Sequence, residues 1–514
     1  MYKTLITIVA ATCALINALI ASDKPNILFI TMDDMNWDSM GAYGCLVENI
    51  SPHMDSLAER GMRFQHAFVN SPVCGPSRNI MQTGCYPHVS GVRGFYSVVF
   101  PERTVPELLR KEGYYTGILQ KVPDSTPTND YPRYWNSYNT LPKATYRTPT
   151  AYGKAFETIL KAAKKQGKPF YAVINVIDPH LPFYRGPKTM EGEWDQTPPS
   201  KIYNAGEVPV PGFLPQSSNF DQEVADYYCS VKRGDDCVGA VLDVLKTHDL
   251  EARTIIIFLS DHGMSFPFAK STLNPAGVRT PWIVVWPGVA EPGYVDTEHM
   301  ISTIDFLPTI MDMTGAAIPA GLEGRSIVPL VKGERQAGRD YVYVEFNENP
   351  NADVRPARGV YTRDFAYIFN PWSNGKREAV MESRWYRSYS TFAKLAASDT
   401  AIAKRFDFLN YRSVEELYNY TSDPNALNNL IDNPSFGSIR KHLTEKLEAR
   451  MQRTNDYVLE AFAKRNDPDA LEAFMAKEDK QALERSIDTE WKRWRNRSGP
   501  TDGHTKYHDP ANDL

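Results

Sequence analysis

Residues 25–34 read PNILFITMDD, an apolar run that ends in a pair of acidic residues, Asp33 and Asp34. A short run rich in Ile and Leu is typical of a central strand that is buried on both faces. Acids that directly follow such a strand lie at its carboxyl end, where ligands bind in open α/β sheets. The stretch therefore predicts a parallel sheet with an acidic site at one edge.

The same pattern returns three times along the chain. The runs are FYAVINVI at 170–177, followed by Asp178-Pro179-His180, TIIIFL at 254–259, followed by Ser260-Asp261-His262, and WIVVW at 282–286, followed by Pro287-Gly288. Helical spacing lies between these runs, as at 54–61, 104–112, 155–165 and 222–250. The alternation predicts an α/β fold, a large mixed, mainly parallel sheet sandwiched by helices, with all four polar strand ends at one edge.

The pattern changes after a Gly- and charge-rich segment, KGERQAGRD, that ends at residue 340. The runs YVYVEF at 341–346 and RGVYTRDFAYIFN at 358–370 alternate like antiparallel strands. From residue 438 to 497 the composition is typical of solvated helix. We predict a catalytic domain at 23–335, a smaller C-terminal α+β sheet domain at 336–435, and a helical extension with a tail at 436–514.

The bulk composition limits the classes of partner. The 514 residues are 42% hydrophobic, which is ample for a large buried core and fits one large domain with a smaller one. The formal net charge is −5 and the pI is near 6.1. Because nucleic-acid binding relies on a positive surface, we expect no nucleic-acid partner. An anionic substrate must then be held by a few local cations.

The first 22 residues are typical of an export signal peptide. Lys3 gives a weak positive start, residues 5–20 are apolar, and small residues precede the charged pair at 23–24. An uncleaved membrane anchor is the alternative, although the stretch is short for a spanning helix. We therefore predict a soluble periplasmic or secreted product without stable membrane insertion.

Five cysteines follow the predicted signal, an odd count for a compartment in which cysteines usually pair. They are Cys45, Cys74, Cys85, Cys229 and Cys237. If four of them form disulfides, one is left for other chemistry. The alternative is a set of buried free thiols.

The most specific motif of the chain is the run CGPSR at 74–78, followed by QTG at 82–84. It resembles the C-x-P-S-R signature of the type I, formylglycine-dependent sulfatases of the alkaline phosphatase-like superfamily. GVRTP at 277–281 and ELY at 416–418 are similar to sulfatase segments too, so the resemblance extends from residue 25 to about residue 435. The alternative interpretation of the motif is a turn that opens a helix and carries an incidental thiol.

The resemblance implies that Cys74 is oxidised to formylglycine (3-oxoalanine) by a formylglycine-generating or anaerobic maturation enzyme. A sulfate ester resists attack because its oxygens repel nucleophiles. A catalyst must therefore neutralise charge and supply a nucleophile that can be regenerated, which the hydrated aldehyde does. Arg78 lies one helical turn beyond Cys74 and can hold that diol.

Two lysines and a histidine complete the predicted catalytic set. The resemblance implies that Lys121 and Lys270 bind sulfate oxygens and that His180 of the DPH segment protonates the leaving group. A pKa near neutrality suits that last role. The alternatives are solvated surface lysines and a core histidine. The family's usual histidine two residues after the first lysine is Pro123 here, and Asp124 or Ser125 is the candidate replacement.

Asp33, Asp34 and Asp261 bring three carboxylates from two strand ends, which suits a hard divalent cation with six or more oxygen ligands. The resemblance implies one Ca²⁺ per chain, with Cys74 and His262 completing the ligand set. The family commonly has asparagine in place of His262, and a histidine would favour a softer ion as the alternative. The plain alternative is that the acids cap helices.

The predicted substrate is a sulfate ester on an oligosaccharide derived from a sulfated polysaccharide, such as algal ulvan or carrageenan. The overall run looks closest to the heparan N-sulfatase (sulfamidase) branch, so hydrolysis of N-sulfoglucosamine is the first alternative. A phosphodiesterase or phosphonate hydrolase on the same fold and a non-catalytic carbohydrate-binding protein are the others. The candidate sugar contacts lie in two loops and are Phe183, Tyr184, Arg185, Trp194, Arg355 and Arg358.

Overall fold

A computed structural model describes residues 24–101, 103–186, 195–349 and 353–488 of the chain. Eight strands of these residues form one large sheet. They are β1 (Asn26–Asp33), β2 (Met62–Phe68), β3 (Tyr115–Leu119), β4 (Ser137–Asn139), β5 (Phe170–Pro179), β6 (Thr254–Ser260), β7 (Trp282–Val285) and β8 (Val295–Ser302). Their order in the sheet is β4-β3-β5-β1-β6-β7-β2-β8. Only β7 runs antiparallel to its neighbours, so the predicted mixed, mainly parallel sheet is confirmed.

The direction of β7 contradicts one part of the prediction. Trp282, the first residue of β7, pairs with Leu259 near the end of β6, and Val285 pairs with Ile256. The segment Pro287-Gly288 therefore lies at the opposite edge from the acids. A short apolar run has the same appearance in both directions, so its sequence could not reveal the reversal.

Helices cover both faces of the large sheet. Their bounds are α1 (Pro52–Arg60), α2 (Cys74–Thr83), α3 (Pro87–Ser90), α4 (Val105–Lys111), α5 (Tyr131–Tyr134), α6 (Pro149–Lys165), α7 (Asp221–Thr247), α8 (Pro275–Val278), α9 (Phe306–Thr314) and α10 (Val328–Val331). Alternate residues of β1 enter two separate cores: Leu28 and Ile30 face one core, and Ile27 and Phe29 face the other. The central strand is thus buried on both faces, as its sequence predicts.

A second sheet has four antiparallel strands, and their order in the sheet is the reverse of their order in the chain. They are β9 (Val342–Glu348), β10 (Val354–Tyr361), β11 (Phe365–Phe369) and β12 (Glu415–Asn419). One face of this sheet packs on Val73 and Val278 of the larger part. Its other face packs on C-terminal helices, among them the helix Gly437–Arg453 through Leu443 and Leu447. The C-terminal helices are α11 (Arg387–Ala396), α12 (Thr400–Tyr411), α13 (Gly437–Arg453), α14 (Leu459–Ala463) and α15 (Pro468–Asp488).

The five cysteines that follow the predicted signal are all free thiols, four of them buried. The cysteines therefore fit the alternative prediction, that of free thiols. The predicted signal peptide at 1–22 lies outside the described residues, and export stays a prediction. None of the helices within the described ranges is long and apolar enough to cross a membrane.

Candidate active site

The thiol of Cys74 lies at the start of α2, at the edge where β1 and β6 end. The preceding Val73 is extended, and Cys74 is only 2% exposed. Its Sγ is 3.2 Å from His262 Nε2 and 3.5 Å from Asp33 Oδ1. Burial raises the pKa of this thiol well above its ordinary value. Because a neutral thiol is a weak nucleophile, the unmodified side chain is poorly suited to attack an ester.

Three carboxylates converge beside the thiol because the strands are parallel and in register. Met32 pairs with Ser260, so the residues that follow them, Asp33 and Asp261, lie side by side. Asp34 has a left-handed backbone (φ 66°), and its N–H donates to Asp261 Oδ1 over 3.1 Å. All three acids are fully buried.

Each of these acids has a cation of its own. Lys121 Nζ lies 2.6 Å from Asp33 Oδ2. Lys270 Nζ lies 2.9 and 3.0 Å from the two oxygens of Asp34. Burial tends to raise the pKa of both acids, but the facing lysines outweigh it and hold each pKa below its usual range. The same pairing raises the pKa of both lysines against burial, so all four groups are charged at neutral pH.

The third pair joins Arg78 and Asp261, with Arg78 Nη2 2.9 Å from Asp261 Oδ2. The other arm of the guanidinium donates to Thr31 Oγ1 at 2.8 Å and to Asn175 Oδ1 at 2.5 Å. These two contacts fix Arg78 against β1 and β5. Asn175 was not predicted, although a single polar side chain inside the apolar run FYAVINVI is a signal that could have found it.

A buried ion-pair network holds the segment that carries His180. Asp178 Oδ2 is 2.6 Å from Arg233 Nε, and Arg147 Nη1 forms a second ion pair with Asp178. Arg147 Nη2 also donates to the carbonyl of His180 over 2.8 Å. His180 Nδ1 is 2.7 Å from the carbonyl of Leu181, which can only accept, so Nδ1 carries the proton. The other ring nitrogen, Nε2, is then available as an acceptor or, when protonated, as an acid.

The described residues fit a divalent cation. Ligand atoms of Asp33, Asp34, Cys74 and His262 lie within 4.8 Å of one another. His262 Nδ1 faces the carbonyl of Gly263 at 2.9 Å, which leaves Nε2 as the ligand atom, 3.4 Å from Asp34 Oδ1. Burial, reinforced by the neighbouring acids, raises the pKa of Asp261 in spite of Arg78. A cation at this point would relieve the repulsion among the three carboxylates.

Buried acceptor atoms support the same fit. Asp33 Oδ2 and Asp261 Oδ2 face cations, yet neither accepts an aligned hydrogen bond from the described residues. Buried acid oxygens are rarely left in this state, and a metal ion is one explanation. Carboxylate oxygens are the donors that Ca²⁺ prefers, and a single imidazole does not exclude it.

The candidate replacements for the missing histidine lie next to Lys121. Asp124 Oδ2 is 3.5 Å from Lys121 Nζ, and its side chain is 20% exposed. Ser125 is buried and uses its N–H to bond the Lys121 carbonyl at 3.0 Å. Asp124 is therefore the one of the two whose side chain reaches the charged cluster.

The structure places some of the candidate sugar contacts in the core and leaves others accessible. Arg358 is fully buried and pairs with Asp456 through Nε (2.6 Å) and Nη2 (2.9 Å), so its prediction as a substrate contact is wrong. Phe183 is also buried, stacked on Phe266 in the core, and cannot serve as a sugar platform. Arg355 remains available: it lines a cleft beside 271–273 and donates to the Glu378 carbonyl at 2.6 Å.

The remaining three loop candidates have different positions. Tyr184 is half-buried, and Arg185 is exposed, with its Nε 3.3 Å from Asp226 Oδ1. Trp194 lies outside the described residues. That Tyr184 and Arg185 contact the sugar therefore stays a prediction.

Two residues of the site had no signal in the sequence. Ser265 donates to Asp34 Oδ2, and Glu382 forms an ion pair with Lys270. Glu382 belongs to a short 3₁₀ helix, Glu382–Trp385, that follows the second sheet's β11. Its partner is more than a hundred positions earlier in the chain, so no local spacing could have linked the two.

Comparison with known proteins gives this arrangement a family. The sulfatase family model matches residues 25–316, more than half of the chain, and the chain belongs to the sulfatase family. A second family model, described as the C-terminal region of N-sulphoglucosamine sulphohydrolase, matches residues 261–374. The predicted family is thus confirmed, and the protein is an enzyme of the sulfuric ester hydrolase class.

Individual relatives agree with this assignment. An ulvan-active sulfatase of Formosa agariphila is 28% identical over 443 residues, which cover 85% of this chain and 82% of the relative. The N-sulphoglucosamine sulphohydrolase of Homo sapiens is 28% identical over 509 residues, which cover 87% of this chain and 94% of the relative. The solved structure of a 2-O GAG sulfatase has a TM-score of 0.63 at 20% identity and covers 84% of this chain and 93% of its own, which shows the shared fold.

Proposed function

We propose that this enzyme is an exported sulfatase that hydrolyses sulfate esters on oligosaccharides of sulfated polysaccharides. The observation that carries the proposal is the convergence of Cys74, three buried acids and three cations on one edge of the large sheet. The ulvan-active relative supports the polysaccharide class of substrate. Formylglycine formed from Cys74 would supply the nucleophile, and Asp33, Asp34, Asp261 and His262 would hold one Ca²⁺, which would supply fixed positive charge to the site.

The chain's own side chains do the rest of the work. Arg78, Lys121 and Lys270 lie around Cys74 and offset the negative charge of a sulfate group, which would otherwise repel a nucleophile. Their ion pairs with the acids hold them in place before the substrate arrives. His180 lies at the end of β5, and its Nε2 can carry a proton to the leaving sugar oxygen.

Hydrolysis of N-sulfoglucosamine is the second candidate. The match of residues 261–374 to the C-terminal model of that enzyme, and the human relative, favour it. The two candidates differ in the bond that is cleaved, S–O or S–N. They share the predicted machinery at Cys74, so only the sugar pocket separates them.

A panel of defined ulvan, carrageenan and heparan oligosaccharides tests the proposal. Released sulfate and the desulfated sugar are measured by ion chromatography and mass spectrometry, with Cys74→Ala as the blank. We expect O-desulfation of an algal oligosaccharide, and a free amine on a heparan unit would instead establish the second candidate. A phosphonate monoester in the same panel tests the alternative that the enzyme is a phosphonate hydrolase. Release of phosphonate but no sulfate would overturn both proposals.

Export is proposed on the sequence of residues 1–22 alone. Expression with the native start in a bacterium that has a periplasm, followed by intact-mass analysis of the fractions, tests it. We expect a shortened chain in the periplasm or medium. A full-length chain that stays in the membrane fraction would favour the uncleaved anchor.

A further inference from the structure

Lys270 is fully buried between two acids that come from distant parts of the chain. Its ammonium contacts both oxygens of Asp34, at 2.9 and 3.0 Å, and forms an ion pair with Glu382 Oε2. An ammonium group has three donors; two of them bond to Asp34, and Glu382 Oε2 covers the remaining side of the ammonium group through the ion pair. A substrate sulfate can reach Lys270 only if one of them gives way.

The two acids are held very differently. Asp34 is fully buried, directly follows β1, and accepts hydrogen bonds from Ser265 and Lys270. The Glu382 side chain is 17% exposed, and its Oε2, itself buried against Lys270, accepts no aligned hydrogen bond from the described residues. Within the described part of the chain, the ion pair with Lys270 is thus the only polar contact of that oxygen. Glu382 is therefore the carboxylate that can swing away toward solvent.

We propose that Glu382 occupies the sulfate position on Lys270 and competes with the substrate's sulfate group for it. The proposal rests on the proposed function, in which Lys270 binds a sulfate oxygen. A carboxylate that remains beside the bound sulfate repels it, and one that swings away gives up its ion pair. Either way, Glu382 weakens the binding of every sulfate at this position, product sulfate included. It thereby favours release of product.

Inorganic sulfate is the probe that tests this competition. Its inhibition constant is measured with full-length, calcium-loaded enzyme, for the wild type and for Glu382→Gln. The amide is the same size but carries no charge, so we expect the inhibition constant to fall by about fivefold or more. Glu378→Gln is the matched control: Glu378 lies four positions earlier and pairs with Arg384 instead, so its inhibition constant should stay at the wild-type value.

The opposite results are equally informative. If Glu382 serves to hold Lys270 in place, Glu382→Gln will bind sulfate more weakly, and that result overturns the proposal. An unchanged inhibition constant overturns it too. If the amide variant does not fold, Glu382→Asp replaces it: the shorter acid reaches Lys270 less well, so sulfate should bind more tightly than in the wild type, and equal or weaker binding would again contradict the proposal.

A separate readout keeps this test independent of the proposed function. Thermal shift of the same proteins in increasing inorganic sulfate measures binding without turnover. If no sulfate ester is hydrolysed but Glu382→Gln still gains a larger shift than the wild type, the proposed function has failed and the competition at Lys270 stands. If the wild type hydrolyses sulfate esters but the shifts are equal, only the role of Glu382 has failed.

Discussion

Two buried charge clusters of this enzyme contain the same kinds of side chain but are built for different ends. The sheet-edge cluster consists of Asp33, Asp34, Asp261 and His262 with their three cations around Cys74. The His88 cluster consists of His88, Glu345 and Asp456 with Arg358 and Arg450, between the second sheet and the C-terminal helices. Both contain three or more acid or histidine ligand atoms close enough to hold a metal ion.

The clusters differ in how their acid oxygens are used. In the His88 cluster, Glu345 Oε2 is 2.6 Å from His88 Nδ1, and Glu345 Oε1 accepts from Asn347 at 3.1 Å. Both oxygens of Asp456 accept from Arg358. In the sheet-edge cluster, by contrast, Asp33 Oδ2 and Asp261 Oδ2 accept no aligned hydrogen bond. Acids that are fully bonded to protein are typical of structure, and acids that face a shared point are typical of chemistry.

The largest expected effect is at the thiol, which only the sheet-edge cluster contains. Cys74→Ala should lower kcat/KM by on the order of 10⁴-fold or more, because no other group can replace the nucleophile. Intact-mass analysis of enzyme from a host with maturation machinery should show an aldehyde in place of the Cys74 thiol. Cys237→Ala, another buried free thiol, is the control and should retain activity. Wild-type activity in Cys74→Ala would end the proposed mechanism.

These same residues show how much of the fold and of the site the sequence alone predicts. The apolar runs of β1, β5 and β6 predicted the strands and placed Asp33, Asp34, Asp261 and His180 at their ends, because local hydrophobicity marks a buried strand. The polar strands β2 and β8 gave no such signal. Asp33, Asp34, Asp261 and His262 lie at strand ends and Cys74 opens α2, and that is why motif spacing could bring them together.

The errors have a physical cause as well. Arg358 looked like a surface arginine in a loop, and its burial depends on Asp456, which lies 98 positions later. The pair Lys270 and Glu382 is a second contact of this kind. Such pairings arise when separate layers pack, and the composition around each residue does not encode its distant partner. Sequence patterns therefore predict the chemistry at strand ends better than the contacts between layers.

The second largest effect is expected for metal binding, in which the two clusters should differ. Asp34→Asn should reduce both bound calcium and kcat/KM, by on the order of 10³-fold for activity, while the protein stays folded. Asp456→Asn is the matched variant in the His88 cluster and should leave the calcium content unchanged. Elemental analysis of the purified proteins and circular dichroism check both. Full activity in calcium-free wild type, or calcium lost from Asp456→Asn alone, would contradict the assignment.

A smaller effect is expected at His180, because general-acid help matters only when the leaving group is poor. His180→Ala should slow desulfation of the natural oligosaccharide by on the order of a hundredfold and an aryl sulfate far less, since an aryl oxide leaves without protonation. Lys121→Ala should slow both substrates alike, because both carry the same sulfate group. Equal slowing of both substrates in His180→Ala would instead assign His180 to sulfate or diol binding.

The smallest effect on catalysis is expected in the His88 cluster, where a change should alter stability and not chemistry. Glu345→Gln removes the acid that faces His88 and lies near Arg358 and Arg450, and should lower the free energy of unfolding by about 3–5 kcal/mol at pH 7. Burial tends to raise the pKa of Glu345, but His88 and Arg358 hold it well below its usual range. The folded state therefore favours the charged form, and this stability is present above the unfolded pKa of about 4.3 and lost as the pH falls through the folded pKa.

Denaturant unfolding at several pH values checks the direction of this pH dependence. The difference in unfolding free energy between wild type and Glu345→Gln should shrink as the pH falls below about 4. Glu298→Gln is the control, since Glu298 pairs with Arg335 at the surface and should change stability little. The activity of folded Glu345→Gln should match the wild type. If Glu345→Gln kept full stability but lost activity or calcium, the His88 cluster would be a second functional site, and the distinction drawn from acid oxygens would not hold.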